Sequence, residues 1–187
     1  MMKSRIALLL ATFLSTGAIA SSVEGPYVGL KLGFTDYSKS TLPGQYGLTA
    51  GYAVDITPRV TLGIELNAME LGDSIFFRGF TGVDYKTYSY NAVLKPKYHF
   101  MALGHQPAYV AAVLGVSRIE ESRKYYVGGG EYQKDRDHDT TGIYGFEVGR
   151  EVTANLDVIG YFNYQKADLF GEDNDYRSYG FGINYRF

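Results

Sequence analysis

The chain has 187 residues, 45% of them hydrophobic, and a formal net charge of −2. That slightly acidic balance, with no Lys/Arg-rich run, excludes a nucleic-acid binder. The lack of cysteine excludes a disulfide framework and a thiolate metal site.

Residues 1–20 have the form of an export signal: Lys3 and Arg5 precede an apolar run from Ile6 to Leu14, and small residues end in Ala18-Ile19-Ala20. The run is too short to cross a bilayer as a helix, which takes about 20 residues, so cleavage after Ala20 is expected, leaving one domain over residues 21–187. Cleavage removes two basic residues and leaves the remainder more acidic.

Beyond Ala20 the pattern is alternation, apolar then small or polar, in runs close to the roughly 9–11 residues a tilted strand needs to cross a bilayer. In the first, Val28, Leu30, Leu32 and Phe34 lie opposite Tyr27, Gly29, Lys31, Gly33 and Thr35. The second sets Tyr46, Leu48, Ala50, Tyr52 and Val54 against Gln45, Gly47, Thr49 and Gly51. The third sets Val60, Leu62, Ile64, Leu66 and Ala68 against Thr61, Gly63, Glu65 and Asn67. The fourth has Tyr88, Tyr90, Ala92, Leu94 and Tyr98 opposite Ser89, Asn91, Lys95 and Lys97, with Pro96 inside it, where proline deletes a ladder hydrogen bond. In the fifth, Val110, Ala112, Leu114 and Val116 alternate with Ala111, Val113, Gly115 and Ser117. The sixth has Tyr144, Phe146 and Val148 facing away from Gly145, Glu147 and Gly149. The seventh sets Val158, Phe162 and Tyr164 against Asp157, Asn163 and Gln165, and Ile159 and Tyr161 interrupt that pattern. The eighth sets Tyr179, Phe181, Ile183, Tyr185 and Phe187 against Ser178, Gly180, Gly182, Asn184 and Arg186.

A soluble barrel would turn its bulky residues inward. Here the second face is Gly, Ser, Thr, Asn and charges, too small and polar to fill a core, so the bulky face is expected to meet lipid. Link lengths alternate as well. Asp55–Arg59, Met101–Pro107 and Glu151–Asn155 are short, whereas Asp36–Gly44, Met69–Thr87, Arg118–Thr141 and Lys166–Arg177 are mostly longer and more polar. The expected fold is an all-β, closed, antiparallel eight-stranded transmembrane barrel in the outer membrane, with short periplasmic turns and longer extracellular loops.

Three stretches resemble a known family. The opening Pro26-Tyr27-Val28-Gly29-Leu30-Lys31-Leu32-Gly33 is similar to the first strand of the small eight-stranded outer-membrane barrels of the OmpA/OmpX and opacity-protein type, and Pro107-Ala108-Tyr109-Val110 to the start of their fifth. The ending, with Tyr179, Phe181, Ile183, Tyr185 and terminal Phe187, resembles their C-terminal assembly signal. The resemblance implies partners: the barrel-assembly machinery and periplasmic chaperones during biogenesis, then outer-membrane lipid and lipopolysaccharide, and a host surface or matrix at the loops. By analogy with the family it implies a structural and surface-interaction role in adhesion, colonisation or envelope integrity. A narrow channel for small solutes is the alternative.

Parity points Lys31, Glu65, Lys95 and Glu147 into a lumen with room only for side chains, and such charges must pair, so an ion-pair network is expected. A lipid-modifying barrel enzyme is the third reading. No His-x-Ser occurs at His99, His105 or His138, and Asp73-Ser74 has no histidine partner between Asp36 and Gly44, so no enzymatic activity and no cofactor are expected. Asp135, Asp137, His138 and Asp139 lack calcium-loop spacing and, interleaved with Lys134 and Arg136, form an expected solvated mixed-charge tip. Phe76, Phe77 and Phe80 crowd one nominal loop and form a candidate contact patch.

Overall fold

The computed structural model describes residues 24–37, 40–78, 81–101, 107–127 and 130–187. The expected export signal lies outside them. The strands are β1 (Gly25–Tyr37), β2 (Ser40–Thr57), β3 (Val60–Arg78), β4 (Thr81–Met101), β5 (Pro107–Val127), β6 (Gly130–Thr153), β7 (Leu156–Leu169) and β8 (Glu172–Arg186). Each pairs antiparallel with its neighbours, and β1 closes the ring on β8 from Tyr27↔Arg186 to Tyr37↔Tyr176. The closed ladder satisfies the backbone polar groups internally, which hydrocarbon demands because it supplies no partner.

Strand parity sorts the side chains as a lipid-facing barrel requires. Outward-pointing Phe181 is 75% exposed and Leu32 64%, whereas inward-pointing Lys95 and Glu147 are fully enclosed. Tyrosines ring the upper edge of this apolar band with their hydroxyls directed to polar partners. Tyr46 donates to Glu70 and Tyr164 to Asp175, each at 2.7 Å, as suits an apolar ring with a wet tip.

The described turns on the opposite rim are tight. The hydroxyls of Thr57 and Thr153 accept from the amides of Arg59 and Asn155, each at 3.3 Å, the same local device at both turns. Pro96 lies well inside β4, its ring outward, and the β4–β5 ladder omits Lys95 and Pro96 without changing register. One interruption in a long ladder leaves the wall closed.

The long links differ from the sequence expectation. Most of their residues are strand, not loop. Met69–Thr87 and Arg118–Thr141 continue as paired hairpins, and β6 reaches 24 residues, about twice what a membrane crossing needs. Above the lipid band the residues on both faces are polar or mixed, so apolar alternation fades, while the backbone still needs partners and keeps its ladder. The Lys166–Arg177 link is a two-residue turn at Phe170 (φ 55) and Gly171 (φ 73), the doubly left-handed pair typical of a tight hairpin. Ile159 and Tyr161 do not break the seventh strand. They point into the lumen with Asp157, Asn163 and Gln165, and the parity is continuous.

The projecting part is uneven around the ring. The β6–β7 ladder ends at Ile143↔Gln165 and the β2–β3 ladder at Tyr46↔Glu70. Above those points β3, β4, β5 and β6 stand as a four-stranded sheet beside shorter neighbours.

Candidate functional site: the lumen and the projecting sheet

The lumen is layered. At its centre Lys31 Nζ lies 2.8 Å from Glu65 Oε1 and 3.9 Å from Glu147 Oε2. Lys95 Nζ bridges Glu65 Oε2 at 2.9 Å and Glu147 Oε2 at 2.6 Å. Tyr27 and Tyr109 donate their hydroxyls to Glu65 Oε2 and Glu147 Oε1, both at 2.9 Å, so every carboxylate oxygen of the pair is engaged. Two ammonium groups and two carboxylates cancel in charge, the condition under which ions remain ionised in a dry interior.

Sequence reasoning missed what seats this cluster. Tyr27 faces Gly51 across β1–β2, and Tyr109 faces Gly149 across β5–β6. A Cβ at either glycine would overlap the tyrosine ring beside it. Lys97 lies between the same two rings, its Nζ 5.1 Å from the Tyr27 centroid and 4.6 Å from that of Tyr109. Repetition was the available signal: each tyrosine follows a proline near the start of its strand, with the partner glycine on the same parity of the next strand.

Toward the periplasmic rim Arg186 meets Asp157 at 2.8 Å and Glu151 at 3.6 Å. Toward the outside, Gln165 Oε1 accepts from Ser117 and Ser89, and Thr35, Gln45 and Tyr161 are linked in series. Above these amides and hydroxyls sits an apolar cap of Met69, Leu71, Ile119, Ala167, Leu169 and Tyr176. Arg123 covers it, its guanidinium 3.9 Å from the Phe170 ring centroid and its Nε 2.7 Å from Glu121. An ionic layer, a hydrogen-bonded layer and an apolar cap therefore succeed one another along the axis.

The remaining sequence candidates fall elsewhere. Phe76 and Phe77 lie on β3 opposite Val83 and Gly82, at the end of the β3–β4 hairpin. Phe80 lies outside the described residues. Asp135, Asp137, His138 and Asp139 share a strand and do not converge. Asp137 and Asp139 instead accept from the backbone amides of Phe170 and Asp168, at 2.6 and 2.9 Å. The amides of Phe170 and His138 hold the Asp137 carboxyl below the usual carboxylate range. Among the described residues no group of three or more His, Cys, Asp or Glu could hold a metal. On the last strand Tyr179, Phe181, Ile183 and Tyr185 face outward, and the Phe187 amide donates to Pro26 at 3.1 Å, so the chain end is stitched to β1.

A closed eight-stranded ring with an apolar exterior, a polar filled interior and tall strands on one rim defines an integral outer-membrane β-barrel. The chain belongs to the outer membrane protein beta-barrel domain family, whose model matches residues 6–187, and it resides in the outer membrane. The crystal structure of Ail, the attachment invasion locus protein of Yersinia pestis, superposes with a TM-score of 0.61 at 15% identity, covering 88% of this chain and 100% of that one. Ail in complex with the heparin analogue sucrose octasulfate gives a TM-score of 0.59, with the same identity and coverage. Neisserial surface protein A (NspA) gives 0.56 at 18% identity, covering 91% of this chain and 100% of that one. At such identities the likeness is one of fold. No curated protein matches the sequence.

Proposed function

We propose that the protein is a non-conducting platform of the outer membrane whose projecting β3–β6 sheet makes contact with a host surface or matrix. The observation that carries this is the filled lumen: with ions paired at its centre and an apolar cap above, the barrel offers surface, not passage. A surface role agrees with the neighbours, among them an attachment protein whose structure holds a heparin analogue. Phe76 and Phe77, with Phe80 close by in sequence, are the proposed contact patch. The C-terminal Tyr185 and Phe187 are the residues we expect the barrel-assembly machinery to read, after export on the cleaved segment 1–20.

Two measurements test it. Planar bilayers with the purified barrel should show no large, steady conductance, and such conductance would favour the channel reading instead. Cells carrying Phe76→Ser, Phe77→Ser and Phe80→Ser together should adhere less to host matrix while the barrel keeps its heat-modifiable gel mobility. Unchanged adhesion would remove the patch from the proposal.

A further inference from the structure

The sheet that rises above the lipid band has two faces, and the one that continues the lumen wall carries a cleft at its far end. On β4, β5 and β6 the lumen parity runs on, without a change of register, to Val83, Tyr125 and Gln133, which stand opposite one another in one row. These three, with Gly82, Val127 and Asp135, line a cleft of about 520 Å³, a size usual for a small-molecule site. Phe76 of the proposed contact patch holds the next place in that row, opposite Val83.

The lining matches the two sides of a sugar ring, an apolar C–H face and an edge of hydroxyls. Tyr125 supplies an aromatic surface among Val83 and Val127, and Val127 is 53% exposed, so the floor is apolar and open. Arg123 is hydrogen-bonded to the Tyr125 side chain, which fixes the ring in advance and lowers the ordering cost of binding. Along the rim Gln133 Nε2 donates to Asp135 Oδ1 at 3.0 Å. That bond sets an amide and a carboxylate side by side, and each keeps lone pairs for hydroxyl donors.

The same residues disfavour a polyanion. Arg123, opposite Asp135, is occupied: its Nε lies 2.7 Å from Glu121, and its guanidinium is 3.9 Å from the Phe170 ring centroid and 5.4 Å from that of Tyr85. Lys124 and Lys134 have the opposite strand parity and belong to the other face. The charge left at the cleft is the Asp135 carboxylate, which repels sulfate and carboxylate groups and accepts from hydroxyls.

We propose that this cleft holds an uncharged hexopyranose at the end of a host-surface glycan, its C–H face on Tyr125 and its hydroxyls on Gln133 and Asp135. The inference rests on the reading that this end of the sheet meets the host, and it names the chemistry met there.

The test uses the mature barrel in nanodiscs, with saturation-transfer NMR titrations of methyl β-galactoside, methyl α-mannoside and, as the polyanion, a heparin-derived tetrasaccharide. At least one neutral glycoside should bind with a Kd of about a few millimolar, as suits a ligand of this size, and the tetrasaccharide should not bind at the cleft. Tyr125→Ala should weaken binding about five-fold or more, whereas Tyr125→Phe keeps the ring and most of the affinity. Gln133→Leu with Asp135→Leu should abolish binding, and Lys124→Gln, on the other face, should leave it unchanged. Heat-modifiable mobility reports the folding of every variant. Wild-type affinity in Tyr125→Ala, or tighter binding of the tetrasaccharide that Tyr125→Ala weakens, would overturn the proposal. So would the absence of saturation transfer from both neutral glycosides, while the adhesion test of the phenylalanine patch could still succeed through a protein contact.

Discussion

The part of the wall that crosses the membrane and the part that rises above it obey different rules, although the same strands build both. Within the lipid band each residue has one of two environments, hydrocarbon outside or a crowded polar lumen inside. Strand parity alone assigns it. Above the band both faces meet water or one another, and what decides placement is specific pairing: Asp137 and Asp139 on the amides of β7, Arg123 over Phe170, Arg118 with Glu120. Membrane burial makes a sequence legible because it reduces each choice to a binary one, and that constraint ends where the lipid does.

If this division holds, the largest loss should come from the ionic centre. Lys95→Met leaves Glu65 and Glu147 sharing Lys31, and removing one partner from a buried pair costs about 3–5 kcal/mol. Urea unfolding in lipid vesicles, followed by gel mobility, measures it. A charge placed on the other side of the same wall ranks next: Leu48→Arg sets a cation in hydrocarbon and should cost about 2–4 kcal/mol in the same assay. Gly149→Ala forces a methyl into the Tyr109 ring, and the overpacking should cost about 1–3 kcal/mol, whereas Gly171→Ala at the exposed turn meets no neighbour and should act only through its left-handed backbone.

The smallest effect belongs to the upper region. Asp137→Ala should leave global unfolding of the barrel unchanged and speed hydrogen exchange at the Phe170 amide, since the bond lost is a single part-buried contact above the membrane ring. Its pH dependence has a definite sign. The folded-state pKa is depressed, so the contribution of the carboxylate is complete above the ordinary carboxylate range and disappears only as pH falls below that range, through the lowered value. A large global destabilisation by Asp137→Ala would show that the projecting sheet and the membrane ring unfold as one unit.

The same division explains what could be read from sequence. Alternation on β8 placed Phe181 outside and Asn184 inside without further information, and put Lys31, Glu65, Lys95 and Glu147 on the inner face. Ile159 and Tyr161 look like a break in the pattern because alternation assigns apolar residues to the outside only, while the lumen wall also carries apolar side chains, Val93, Val113 and Ile143 among them. The hairpins above the band read as loops in the sequence because polar residues on both faces leave no periodic signal. The Phe170-Gly171 turn was hidden for a different reason: phenylalanine is a rare occupant of a left-handed position, and its ring is held there against Arg123, a contact that no local rule encodes.

The direction of the pleat decides which side chains meet lipid, and the absence of native cysteine allows a direct measurement of it. Single cysteines at Ser178, Tyr179, Phe181, Ile183 and Asn184 can each carry a small fluorophore in barrels reconstituted with nitroxide-labelled lipid. Tyr179, Phe181 and Ile183 positions should be strongly quenched and Ser178 and Asn184 should not. Equal quenching along the strand, or quenching at 178 and 184 alone, would contradict an exterior of bulky residues around a polar, filled centre.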